Sequence, residues 1–79
     1  MTLTAEALLD EIAAYSDLEA DSDADTPLFS SGVLDSVSML NLIMFVEQHS
    51  GIEVRADEVT LDNFDTAGRI VRFVEARAA

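Results

Sequence analysis

Apolar positions recur at helical spacing in three places along this chain, and no stretch shows the strict alternation that marks a strand. The first pattern runs from Ala5 to Tyr15, with Thr4 placed to cap it and Leu8, Leu9, Ile12 and Tyr15 as the inward set. The second begins at Ser36 and continues to His49. It stops at Ser50-Gly51, because glycine accepts the left-handed conformation at a helix C-terminus. The third spans Ala67 to Arg77 behind Thr66, with Ile70, Val71, Phe73 and Val74 inward and Gly68 a weak spot worth about 1 kcal/mol against alanine. Between the last two, Val54, Val59, Leu61 and Phe64 are expected as buried anchors, with one short helical turn around Leu61 to Phe64.

Ser16 to Asp35 interrupts this periodicity. Asp17, Glu19, Asp21, Asp23, Asp25, Pro27 and Gly32 are loop chemistry, and their like charges discourage a helix. A loop this long in a compact domain is either functional or tied down by its own apolar residues, here Leu28, Phe29 and Leu34. The pattern predicts one all-α domain over residues 1–79, a small three-to-four-helix bundle with a long acidic loop between its first and second helices.

The second helix carries apolar residues on two sides. At 100° per residue, Met39, Leu42, Ile43 and Val46 share one side, while Val37, Leu40, Asn41, Met44 and Gln48 lie nearly opposite. Either the helix is buried all round, or one side faces the core and Val37, Leu40 and Met44 form a docking surface. A methionine suits such a surface because its flexible thioether adapts to its partner.

Composition narrows the partners. Sixteen acidic residues against four arginines and no lysine give a formal net charge of -12. Nucleic acid and anionic membranes are disfavoured, since binding a polyanion relies on positive charge, and basic partner surfaces are favoured. The longest apolar run, Leu42 to Val46, falls far short of the ~20 residues a membrane span needs. No basic stretch precedes Glu6, so no signal peptide is expected, and a cytoplasmic monomer is. There is no cysteine to staple a core that, at this length, buries only about 60% of the unfolded surface.

One aspartate and one serine, Asp35-Ser36, stand directly before the most apolar segment. Ser36 or Asp35 acting as a helix cap is the plainest reading. A catalytic serine would need a base, and the only histidine, His49, lies about 20 Å further along the same helix. No Gly-x-Ser-x-Gly elbow is present. A third reading makes Ser36 the attachment point of an anionic group, which a helix N-terminus tolerates through its free N–H groups and positive dipole end. Capping and attachment both remain open on the residues alone. In the loop, Asp21, Asp23 and Asp25 match the start of a calcium-binding EF-hand, but Thr26 and Gly32 stand where that motif needs glycine and glutamate, so no metal site is expected.

Leu34-Asp35-Ser36-Val37 at a helix start, after a long acidic loop in an acidic chain of this length, resembles the Asp-Ser-Leu motif of acyl carrier proteins. The resemblance covers nearly the whole chain. It implies that the chain is not an enzyme, and that a phosphopantetheinyl transferase esterifies Ser36 with 4'-phosphopantetheine from coenzyme A, assisted by Asp35. The thiol of the arm then carries intermediates as thioesters. An acyltransferase or adenylating ligase would load it, and a ketosynthase or other synthase would unload it.

Fatty-acid carriers read Gly-Leu-Asp-Ser, whereas Gly32-Val33-Leu34-Asp35-Ser36 has one additional residue. That variant is more similar to D-alanyl carriers and other discrete aminoacyl or polyketide carriers. Ser38 and Asn41 replace acids of the fatty-acid carriers, leaving Glu47 as the only acid of the second helix. Together these features point to polyketide or nonribosomal-peptide biosynthesis, including antibiotics, and to specialised partners on Val37, Leu40, Asn41, Met44 and Glu47. The surplus of apolar residues also raises the expectation that the bundle shelters part of the cargo.

Overall fold

The computed structural model describes residues 3–14, 16, 18–19 and 21–78, the last in its backbone only. Four α-helices follow one another: α1 (Ala5–Ala13), α2 (Ser36–Ser50), α3 (Leu61–Phe64) and α4 (Ala67–Ala78), with a 3₁₀ turn at Ala56–Glu58. Among the described residues there is no strand. The expected all-helical bundle is what the chain forms.

Several helix ends fall where local chemistry provides partners for the free backbone groups. The Thr4 hydroxyl accepts the N–H of Ala7 at 3.1 Å and starts α1. The helix closes at Ala13, and the inward role expected of Tyr15 falls outside the described residues. Gly51 ends α2 at φ 75°, where a side chain would be strained, and its N–H donates to the Glu47 carbonyl at 3.0 Å. The Thr66 hydroxyl accepts the N–H of Arg69 at 3.0 Å and starts α4.

Leu8 and Ile12 of α1, Leu42 and Val46 of α2, Phe64 of α3 and Ile70 of α4 are fully buried, as is Leu28 of the loop. Phe64 and Phe73 meet with ring centroids 5.4 Å apart. Helix α1 packs against both α2 and α4, and α3 packs against α4. Leu3, Leu34 and Ala67 complete a core that the periodicity did not fully name.

Two expectations change. Leu61 is not an anchor: it is 54% exposed, because it opens the single turn of α3 and Phe64 takes the inward place. Gly68 is a point of close approach, since its N–H donates to the Ala24 carbonyl at 2.9 Å and an added Cβ would lie 3.1 Å from that oxygen. The loop therefore packs directly on the first turn of α4.

Candidate functional site

Ser36 is the first residue of α2, and Asp35 before it has extended backbone. The Asp35 carboxylate accepts the N–H of Ser38 at 2.9 Å, and its carbonyl accepts the N–H of Met39 at 2.9 Å. The cap is thus Asp35 and not Ser36. A capping side chain must reach the third helical N–H from an extended residue, and Ser36 is already helical. The Ser38 N–H, helped by the Ser38 hydroxyl, holds the Asp35 carboxyl below its ordinary value of 3.8.

This division of labour leaves the Ser36 side chain exposed and without a hydrogen bond among the described residues. The amides of Ser36 and Val37 have no acceptor within the helix. A phosphodiester on Ser36 would meet those amides and the positive end of the helix, with the neighbouring carboxylate engaged by Ser38. An exposed hydroxyl at the positive end of the helix and a neighbouring acid committed to the cap fit an attached phosphate well.

What aims Ser36 is the loop before it. The N–H groups of Phe29 and Ser30 donate to Asp65 Oδ1 at 2.9 and 3.0 Å, and the Ser30 hydroxyl donates to Oδ2 at 2.8 Å. The Leu28 N–H donates to the Asp65 carbonyl at 2.7 Å, and Leu34 N–H returns to the Leu28 carbonyl at 3.0 Å. Gly32, at φ 84°, makes the turn between them. Asp65 is itself buried. Desolvation raises its pKa, but the amide and hydroxyl of Ser30 and the amide of Phe29 outweigh that and hold it below 3.8. The sequence showed an acid between Phe64 and Thr66, and nothing in it indicated a partner some 35 residues away.

Helix α2 is buried on one side only. Val37, Leu40 and Met44 are 67%, 63% and 57% exposed, Asn41 is exposed beside them, and Leu42 and Val46 face the core. Between Asp35 and Glu47 this helix has no ionisable side chain. Glu47 is half-buried, and its carboxylate accepts the Val54 N–H at 2.9 Å, which ties down the segment after α2. In the loop, Asp23 accepts the Asp25 N–H at 2.9 Å and so caps a turn, and among the described residues no three potential metal ligands converge. No helix among them is long and apolar enough to cross a membrane.

A bundle that presents one unbonded serine at a helix N-terminus, beside an uncharged apolar stripe, has the build of a carrier. The family model described as the phosphopantetheine attachment site matches residues 6–74, and the chain belongs to that family. Its members are non-catalytic carriers with covalent 4'-phosphopantetheine, served by phosphopantetheinyl transferases and by loading and synthase enzymes.

Among curated relatives, D-alanyl carrier protein 1 of Lactiplantibacillus plantarum is 35% identical over 57 residues, 72% of this chain and 71% of that protein. The probable acyl carrier protein PigG of a Serratia species is 33% identical over 70 residues, 86% of this chain and 80% of that one. Among solved structures, a chain in one described as the crystal structure of FAD-dependent dehydrogenase superposes with a TM-score of 0.69 at 27% identity, covering 76% of this chain and 84% of that one.

Proposed function

We propose that Ser36 is the residue that receives 4'-phosphopantetheine, and that the chain is a discrete carrier of aminoacyl or acyl thioesters in polyketide- or nonribosomal-peptide-type biosynthesis. The observation that carries this reading is the separation of roles at the start of α2. Asp35 supplies the cap, so the exposed Ser36 hydroxyl is left without a structural task. In the modification, the Ser36 oxygen bonds to the phosphorus bearing the pantetheine arm of coenzyme A, its proton passes to a base, and adenosine bisphosphate leaves. Asp35 assists by holding the helix end that places the hydroxyl.

The similarity to D-alanyl carriers supports an aminoacyl cargo and the similarity to PigG, a probable acyl carrier protein, an acyl one, loaded by an adenylating ligase or an acyltransferase. The likeness to a chain in a structure described by an FAD-dependent dehydrogenase supports a flavin enzyme among the partners that act on the cargo. Val37, Leu40, Asn41 and Met44 form the docking stripe, with Glu47 at its edge. Intact mass of the carrier isolated from its own cells tests this reading: an aminoacyl or short acyl group other than alanyl supports it, and alanyl alone makes the chain a D-alanyl carrier.

A further inference from the structure

A shallow groove of about 360 Å³ runs along the outside of α2 beside α1, lined by Glu11, Asn41, Met44, Phe45, Gln48 and His49. Phe45 and His49 lie ring against ring, centroids 4.1 Å apart and tilted by 40°, and form a flat wall. Glu11 makes no ion pair among the described residues, where the two pairs are Arg55 with Asp57 and Arg77 with Glu58. No arginine borders the groove. Apolar surface from Met44 and Phe45, amides from Asn41 and Gln48, and one free carboxylate together suit a small body bearing a positive charge. Leu42, Val46, Phe64 and Ile70 face the interior with zero exposure and so offer no surface to a cargo that stays outside the bundle.

We infer that this groove is the resting place of the carrier's own cargo when that cargo bears an amine, with the ammonium on Glu11, the side chain against Met44 and Phe45, and the arm amides beside Asn41. The inference rests on the aminoacyl-carrier reading above. Asn41 and Gln48 lie about 8 and 18 Å beyond Ser36 along the helix. From Ser36 to its sulfur the arm has the bonds of roughly five extended residues, about 17 Å. The near half of the groove is therefore within reach. Tethering sets a local concentration in the millimolar range, so contacts that are weak individually still hold the cargo for a good part of the time. Met44 belongs both to the groove and to the docking stripe, so a partner seated on Val37, Leu40 and Met44 displaces the cargo as it docks.

The test compares holo carrier loaded with alanyl and with propionyl groups, which differ by the amine, using two-dimensional NMR of the intact chain. Alanyl loading is expected to shift the signals of Glu11, Met44 and Phe45, propionyl loading to leave them near the unloaded positions, and Glu11→Gln to remove the difference. Equal shifts with both groups, shifts confined to Ser36 and Val37, or shifts at Leu42 and Val46 overturn the inference. Intact mass distinguishes the two levels: no mass gain at Ser36 defeats the carrier reading itself, whereas a modified Ser36 with a silent groove defeats only this proposal.

Discussion

The Asp65 carboxylate accepts the Ser30 hydroxyl at 2.8 Å across 35 residues of chain, and so fastens the long acidic loop to the junction of α3 and α4. Asp65→Ala leaves the amides of Phe29 and Ser30 without their acceptor in a part-buried place, and is expected to destabilise the fold by about 1–3 kcal/mol in urea unfolding.

The same pair sets a pH dependence. The Asp65 pKa is lower folded than its ordinary 3.8, so its stabilisation is fully present above that value and lost as pH falls through the folded pKa. Protonation of the other acids also relieves self-repulsion in a chain of net charge -12, so the difference between wild type and Asp65→Ala isolates the effect. That difference is expected to be constant near neutrality and to shrink below about pH 4 in parallel unfolding series.

Gly68→Ala reports on the other loop contact. Alanine in an open helix gains about 1 kcal/mol over glycine. Here the new Cβ would stand 3.1 Å from the Ala24 carbonyl oxygen, so the Tm is expected not to rise. A rise of the usual size would show that the loop does not press on α4.

On α2, stability and recognition should separate. Leu42→Ala empties a fully buried site and is expected to cost about 2–5 kcal/mol. Leu40→Ala and Met44→Ala change exposed residues and should stay within about 0.5 kcal/mol of wild type. Each is nevertheless expected to lower kcat/KM for loading about tenfold, as a docking residue does. Because the stripe itself carries no charge, the tenfold loss should be of similar size at low and high ionic strength.

The sequence made the helices legible because their apolar spacing and their caps, Thr4, Gly51 and Thr66, agree. The two-sided character of α2 was legible too, although only the packing of Leu42 and Val46 decided which side turns inward. Leu61 was misplaced because a single helical turn gives too few positions for periodicity to decide. Asp65 was missed because a lone acid looks the same whether it faces water or holds a distant loop. Ser36 and Asp35 were visible as a pair, but the assignment of the cap needed the backbone: extended at Asp35, helical at Ser36.

The central claim concerns one oxygen, the Ser36 hydroxyl. Intact mass spectrometry after incubation with coenzyme A and a broad-specificity phosphopantetheinyl transferase tests it most directly. Wild type is expected to gain one phosphopantetheinyl group, Ser36→Ala none, and Asp35→Asn, which keeps a capping oxygen, to gain it more slowly. A Ser36→Ala chain that still gains the group, or a wild-type chain that gains none with several transferases, would contradict the claim.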